Sequence, residues 1–265
     1  MESHTLADIA FGPEPGRWPL PTARTTGELW LRAVAAGGQG RYGAARADLD
    51  ELLRRKPAGR LASLASSTHA SFLRQTGWHE PARGWDGRAF ALSAGDPECA
   101  VDALAGLAAD ALGVGRFGAS AALLERAETY HRAAEAPPAR LAIRLAWVHA
   151  ELAMVTGDGP GAVAHARRAA ELAEAALPGL RRHRVKSDVV LAAALCCAGD
   201  LEKSRELAYQ ALGAASRYGL APLHWAAASL LADIGSPVQS QAEIAEALDR
   251  SAAFVTRHGG RWNRR

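Results

Sequence analysis

Three observations predict that this sequence forms an all-α protein, a right-handed superhelix of about six antiparallel helix pairs. Alanine is the commonest residue and occurs with many Leu, Glu and Arg, side chains that lose little conformational freedom in a helix. Runs of Val, Ile, Thr and Tyr are scarce, so a sheet has little material. Glycines at predicted helix breaks recur with spacings of 37, 38, 42, 42 and 36 residues, at Gly40, Gly77, Gly115, Gly157, Gly199 and Gly235.

The first 24 residues differ from the rest of the chain. They hold four of the 13 prolines and show no hydrophobic periodicity, which predicts an extended or flexible arm over residues 1–24. The arm carries Phe11 and Trp18, and one hypothesis is that it occupies the groove of its own chain as an autoinhibitory peptide.

Residues 25–257 are predicted to form the helical repeat domain. In each repeat an apolar helix leads to a glycine, which tolerates the left-handed conformation of a helix end, and a second amphipathic helix follows. Prolines then fall where the next pair starts, because the first helical turn needs no N–H donor there. The predicted pairs are 25–38 with 41–56, 59–75 with 78–94, 97–113 with 116–135, 138–156 with 160–176, 179–198 with 201–218, and 222–234 with 238–257. Residues 258–265 are predicted to be a flexible basic tail.

Small residues recur at one position of each second helix. Five residues after the glycine the sequence has Ala45, Ala82, Ser120, Ala162 and Ser204. A small side chain at a fixed place predicts that the two antiparallel helices of each pair touch there.

The first pair resembles a tetratricopeptide repeat. Residues that match the family's pattern are Tyr42, Ala45, Leu49, Leu52 and Pro57, and the third pair repeats the pattern with Phe117, Ser120, Leu124 and Ala127. The chain departs from the pattern where Leu29 stands in place of the first-helix tryptophan, and where alanine replaces a glycine at Ala33, Ala70, Ala108, Ala150 and Ala192. The resemblance is to the longer-helix arrays of bacterial regulatory and signalling proteins, and it implies binding of peptides, proteins or small signals.

The stretch GWHEPARGWDGRAFAL, Gly77 to Leu92, places His79, Glu80, Trp85, Asp86 and Arg88 within a few residues. Its His-Glu pair lacks the second histidine that a metal-binding helix needs, so the stretch predicts helix capping and packing between repeats. The remaining histidines stand at no ligand spacing, and His183 is read as a lone side chain that contacts Asp188 along its helix. We therefore predict no catalytic residue, no metal site and no cofactor.

Charge and cysteine content exclude several classes of protein. A net charge of +3 is too small to predict nucleic-acid binding. Three cysteines without a metal spacing indicate a reducing compartment, and no apolar run reaches membrane length. We expect a cytoplasmic protein without a membrane segment, and a homo-oligomer is possible because open arrays expose apolar ends.

The first helix of each pair is predicted to line a concave groove, because the second helix then lies on the outer side. The repeat register assigns nine binding candidates to this groove: Trp30, Ser71, Arg74, Asp102, Arg144, Trp147, Glu151, Lys186 and Trp225. These residues predict a non-catalytic scaffold or sensor that binds a protein or peptide. One alternative is a ligand-sensing regulatory domain that acts with a transcription regulator or DNA, and another is an enzyme that uses the central cleft.

Overall fold

A computed structural model describes residues 5–263, which form thirteen α-helices and no β-strand. The helices are α1 (Leu6–Phe11), α2 (Thr26–Gly38), α3 (Tyr42–Arg55), α4 (Arg60–Arg74), α5 (His79–Leu92), α6 (Pro97–Gly113), α7 (Phe117–Ala133), α8 (Ala139–Val155), α9 (Gly159–Ala175), α10 (Arg181–Cys197), α11 (Leu201–Arg217), α12 (Ala221–Ile234) and α13 (Gln241–Arg257). The all-α, solenoid-like architecture predicted from the sequence is confirmed.

Helices α2 to α13 form the six expected pairs, and every observed boundary lies within three residues of the predicted one. The six repeat glycines all have positive φ, between 75° and 86°, which a residue without a Cβ adopts without strain. Glycine spacing therefore located each helix end because the backbone there requires this residue.

Small side chains lie where the helices of a pair meet. Every one of the five predicted contact positions is fully buried, and so are the alanines that replace the family's glycine in the first helices. The positions at full burial are Ala33, Ala45, Ala70, Ala82, Ala108, Ser120, Ala150, Ala162, Ala192 and Ser204. Small residues at these places let the helix backbones approach closely.

The first helices of successive pairs form one continuous inner layer. Helix α2 packs on α4, α4 on α6, α6 on α8, α8 on α10 and α10 on α12. Within the described chain, the second helices do not pack on one another to a comparable extent. Closer packing on one side curves the array, so the inner layer lies on its concave side.

The two ends of the array meet. The backbone N–H of Gly43 donates to the carbonyl of His258 at 2.7 Å, and that of Asn263 donates to the carbonyl of Thr76 at 2.8 Å. Val255 of α13 is fully buried in the same apolar cluster as Leu29 of α2. The last pair thus covers the first, and apolar residues at the two ends bury each other.

Residues 258–263 were predicted to be part of a flexible tail, and the structure shows them docked. The indole N–H of Trp78 donates to the carbonyl of Arg261 at 2.6 Å, and Arg46 donates to the carbonyl of Gly259 at 2.5 Å. These bonds supply partners for backbone carbonyls that no helix satisfies. The last two tail residues, 264–265, lie outside the described residues.

The N-terminal arm contains a short helix, where an extended segment was predicted. Thr5 and Asp8 form a reciprocal capping box at the start of α1. Ile9 and Ala10 are buried against Val34 and Ala35 of α2. Apolar burial and the cap together explain why this segment is helical despite the prolines that follow it. Residues 1–4 of the predicted arm fall outside the described part.

Among residues 5–263, no helix combines the length and the apolar character that crossing a bilayer requires.

Candidate functional site

A cavity of about 60 Å³ lies inside the inner layer, and we call it the central cavity. It is lined by Phe11, Trp30, Val34, Ser67, Thr68, Ser71, Phe72, Gln75, Asp102, Arg140, Arg144, Arg182 and His183. A buried water needs about 10–15 Å³ of cavity volume, so this cavity has room for about four waters or a small ligand group.

The wall formed by α2 and α4 has most of its hydrogen bonds satisfied internally, and the buried Ser67 hydroxyl of α4 is the exception. The indole N–H of Trp30 donates to Thr68 Oγ1 at 3.0 Å, and the Thr68 hydroxyl donates to the carbonyl of Leu64 at 2.7 Å. Ser71 donates to the carbonyl of Thr68 at 2.7 Å. These groups hold the aromatic and hydroxyl side chains of this wall in place.

The wall formed by α6 and α8 is an ion-pair cluster. Asp102 accepts from Arg140 at 2.6 Å and pairs with Arg144 at 2.8 Å, and Arg140 also bonds Glu98. Burial acts to raise the pKa of Asp102, but the two guanidinium charges outweigh burial and hold that pKa below its ordinary value. The carboxylate is therefore ionised at neutral pH.

The first turn of α10 contributes the least satisfied charge. Arg182 makes one hydrogen bond, from Nη1 to the carbonyl of Val34 at 3.3 Å, and forms no ion pair within the described residues. Burial, together with the charges of Arg144 and Arg140, lowers the pKa of Arg182 to about 10. The guanidinium still carries its charge at neutral pH, so a cation without a carboxylate partner faces the cavity.

His183 stands beside Arg182 between two aromatic rings. Its ring stacks on Trp147 at a centroid distance of 5.5 Å and lies 6.2 Å from Phe11. Burial and the surrounding cations move the pKa of His183 well below its ordinary value, so the ring is neutral. Its Nδ1 atom is buried and has no hydrogen-bond partner between residues 5 and 263, which leaves a polar atom available to a ligand.

The N-terminal arm closes one side of the central cavity. Phe11, at the end of α1, lies 5.6 Å from the Trp30 ring, and the Arg140 guanidinium lies 5.5 Å from the Phe11 ring. The carbonyl of Phe11 accepts from the backbone N–H of Leu180 at 2.6 Å. One part of the arm hypothesis agrees with this arrangement, because Phe11 lines the cavity. Trp18 does not line it: Trp18 is 46% exposed and stacks with Arg41.

Nine groove candidates were predicted, and the structure brings four of them to the central cavity: Trp30, Ser71, Asp102 and Arg144. Trp147 lies directly behind His183, and the Lys186 ammonium lies 4.3 Å from the Trp147 ring centroid. Burial lowers the pKa of Lys186, whereas the charge of Glu151 raises it. The candidates Lys186 and Glu151 therefore interact electrostatically with each other.

Two candidates lie elsewhere. Arg74 bonds Asp86 and pairs with Asp110 at 2.9 Å, and both carboxylates are fully buried. Trp225 packs on Trp262 of the docked tail, with ring centroids 4.5 Å apart. Arg74 is thus paired with two carboxylates, and Trp225 belongs to the contact between the two ends of the array.

The polar stretch from Gly77 to Leu92 contains part of that buried network. Trp85 stacks on His69 of the same pair at 4.1 Å, and Phe90 contacts Tyr130 of the next pair at 6.2 Å, which agrees with packing between repeats. The predicted capping is not seen as a hydrogen bond, because no side chain caps the start of α5. Asp86 is buried with Arg74 and Asp110. Burial and the Asp110 charge raise the pKa of Asp86 to about 7, against the opposing effect of Arg74.

Sequence reasoning missed Arg140, Arg182 and His183. The predicted contact between His183 and Asp188 is wrong, because Asp188 pairs with Arg184 while His183 stacks on Trp147. A signal for the arginines was present: Arg140 precedes Arg144 by four residues, and Arg182 precedes Lys186 by four. Residues at this spacing share a helix face, so extending the predicted stripe by one turn would have found both.

Comparison of the chain with protein-family models gives no match, and comparison with curated proteins gives none either. The likeness to tetratricopeptide repeats therefore rests on the residues and on the helical array itself.

Proposed function

We propose that this chain is a non-catalytic sensor whose central cavity binds a small ligand. The observation that carries the proposal is a cation, Arg182, that faces a partly open cavity and has no carboxylate partner among residues 5–263. A buried charge is costly unless it is paired, so a ligand that pairs with Arg182 is bound in preference to water.

Contact between the two ends of the array and the small volume of the cavity favour a small ligand over a peptide in the inner layer. The last helix pair covers the first, and Phe11 of the arm forms part of the cavity wall. An extended peptide needs a long open groove, whereas a cavity of about 60 Å³ suits a small molecule. Of the two predicted roles, scaffold and sensor, the sensor fits this geometry better. The alternative prediction, a ligand-sensing domain that acts with a transcription regulator, fits it as well.

Protonation states of the cavity favour binding over catalysis. Asp102 is held ionised by two arginines, and His183 is neutral with a pKa well below its ordinary value. A general acid or base works best with a pKa near the operating pH, which neither group has. Cys99 is no better as a nucleophile, since burial raises the pKa of its thiol to about 12.

Thermal unfolding with the low-molecular-weight fraction of a host-cell extract tests the sensor proposal. A bound ligand stabilises the folded chain, and each kcal/mol of binding free energy raises Tm by about 2–4 °C at this chain length. Ser71→Leu places a larger side chain in the cavity, so its Tm is expected not to respond. Ser216→Leu, on the exposed face of α11, is the matched control and should respond like the wild-type chain. An unresponsive wild-type chain, or equal responses in wild type and Ser71→Leu, would contradict the proposal.

A protein-binding scaffold remains the second candidate function. Phe117 and Leu201 are exposed large apolar residues at the starts of α7 and α11, and Val155 is exposed at the end of α8. All three lie at turns between the first and second helices of pairs, so they share one edge of the array. Replacing Phe117 and Leu201 with Ser should abolish capture of a protein partner if this edge binds one, and unchanged capture would exclude this edge.

A further inference from the structure

We infer that the ligand of the central cavity is a small organic monocarboxylate, whose carboxylate pairs with Arg182 and whose apolar part packs against Phe11 and Trp30. This inference rests on the proposed sensor function and names the chemical class of its ligand.

The ion pairs around the cavity leave one positive charge over. The connected cluster contains the guanidinium groups of Arg60, Arg140 and Arg144 and the carboxylates of Asp96, Glu98 and Asp102. These three cations and three anions balance. Arg182 lines the same cavity as Arg140 and Arg144, whose charges act on its pKa, and it adds a cation that pairs with no anion in the described part of the chain. A ligand with a single negative charge restores neutrality, whereas a dianion leaves an excess negative charge in a buried site.

Two further groups at the start of α10 favour an anion at the same place. Arg182 and His183 lie in the first turn of α10, and no side chain caps that turn. The free amides of a helix start attract negative charge. The buried Nδ1 of His183 has no hydrogen-bond partner among the described residues. In the neutral tautomer that carries its proton on Nδ1, this atom can donate to one carboxylate oxygen while Arg182 donates to the other.

Apolar and aromatic side chains form one part of the wall, next to the hydroxyls of Ser67, Thr68 and Ser71 and the amide of Gln75. Phe11 and Trp30 pack at 5.6 Å, and Val34 and Phe72 are almost fully buried beside them. Inorganic phosphate has no apolar part that could cover these rings, so it matches only the polar part of the wall. An aliphatic or aromatic carboxylate has one charged end and one apolar end, and it satisfies both parts of the wall.

Isothermal titration of the full chain with defined probes tests the inference. The carboxylates are propionate, butyrate and benzoate, and the neutral controls of the same shapes are propionamide, butyramide and benzamide. Inorganic phosphate is the competing anion. We expect saturable binding of at least one carboxylate and at least about tenfold weaker binding of its amide and of phosphate, because a charge-assisted hydrogen bond is lost or the apolar wall is unmatched.

Variants on α10 locate the site. Arg182→Gln is expected to weaken carboxylate binding at least about tenfold, with circular dichroism confirming that it stays helical. Arg182→Lys keeps the charge but not the two-pronged geometry, and it should retain part of the affinity and serve if the glutamine variant does not fold. Arg184→Gln is the matched control: Arg184 pairs with Glu174 and Asp188, does not line the cavity, and should bind carboxylate as the wild-type chain does.

The inference is overturned if amides bind as tightly as carboxylates, if phosphate binds more tightly, or if a folded Arg182 variant loses no affinity. If none of these carboxylates binds while the cell extract still raises Tm of the wild-type chain, the monocarboxylate is wrong and the sensor proposal stands. If neither the probes nor the extract act, both are wrong.

Discussion

Two groups of buried charged residues in the inner layer differ in their charge balance. Arg74 serves two fully buried carboxylates, Asp86 and Asp110, so this group has an excess of negative charge. The central cavity has the opposite excess, because Arg182 pairs with no carboxylate among the residues that the structure describes. The first excess is relieved by a proton on Asp86, whose pKa is raised to about 7, whereas an arginine cannot lose its proton near neutral pH. Only the excess positive charge at Arg182 therefore needs a ligand to balance it.

Asp86 makes stability depend on pH. Its pKa is about 7 in the folded chain and about 3.9 in an unfolded one, so the folded state binds the extra proton between these values. The contribution of Asp86 is therefore most favourable below about pH 4, and it is lost as pH rises through about 7. Asp86→Asn should flatten the fall of the free energy of unfolding between about pH 4 and pH 7, measured by urea titration. The exposed Asp50→Asn is the control and should keep the wild-type slope; equal slopes in all three chains would show that Asp86 ionises normally.

Part of the cavity could be predicted from the sequence. The repeat register identified Trp30, Ser71, Asp102 and Arg144, since each faces inward from a first helix. Arg182 and His183 lie next to the αL residue Leu180 at the start of α10, and this start was predicted two residues too early. Phe11 comes from outside the repeats, so no repeat register includes it.

At the level of helices, small residues set the spacing of each pair. Ala162 is fully buried in α9, where it packs with α8 residues of the same cluster, while Ala164 two positions later is exposed. A larger side chain at the first position pushes two backbones apart, but at the second it extends into solvent.

Ala162→Leu and Ala164→Leu therefore form a matched pair. The first is expected to lower the free energy of unfolding by about 1–3 kcal/mol, because overpacking forces the helices to shift. The second should change it by no more than about 0.5 kcal/mol. Chemical denaturation of both variants measures the difference, and equal effects would mean that the pair has no close contact at Ala162.

Helix α1 is the element that sequence reasoning did not find. It has six residues, too few to show a period, and its stability comes from packing on α2 rather than from helix propensity. The capping residues Thr5 and Asp8 were the available signal. The repeats were predictable because a glycine recurs six times and a small contact residue five times in equivalent places, whereas the arm occurs once.

Ile9 anchors the arm, since its side chain is 1% exposed against α2. Ile9→Ala should detach α1 and increase protease cleavage between residues 12 and 25, because burial of the removed methylenes holds the helix in place. Trp18→Ala, which removes a half-exposed ring from the same arm, should have little effect on cleavage. Cleavage that is equally slow in wild type and Ile9→Ala would show that other contacts hold the arm.

On the scale of the whole molecule, closure distinguishes this chain from the open array that its repeats predict. Closure depends on the rotation between successive pairs, summed over six pairs, and no local pattern in the sequence reports that sum. Contacts of the docked residues with Thr76, Gly77 and Trp78 connect positions more than 180 residues apart. Such contacts are visible only when the full array is assembled.

Removing the docked residues should open the array. For a compact chain of this length the radius of gyration is about 18 Å, and we expect small-angle scattering to give a value close to that. A chain that ends at Arg257 loses the bonds to Gly43, Arg46, Thr76 and Trp78, and it should scatter as a larger particle with a lower Tm. A chain that ends at Asn263 keeps these bonds and is the control. Identical radii for the two truncated chains would show that closure does not depend on the docked residues.

The central claim is that the array closes around a cavity that binds a small carboxylate at Arg182. A crystal structure of the full chain with a saturating small carboxylate tests this claim most directly. The account predicts the Gly43 amide against the His258 carbonyl, Phe11 in place on the cavity wall, and carboxylate density on the Arg182 guanidinium beside His183. Separated ends with an open inner groove, or a closed cavity in which Arg182 holds no carboxylate, would contradict it.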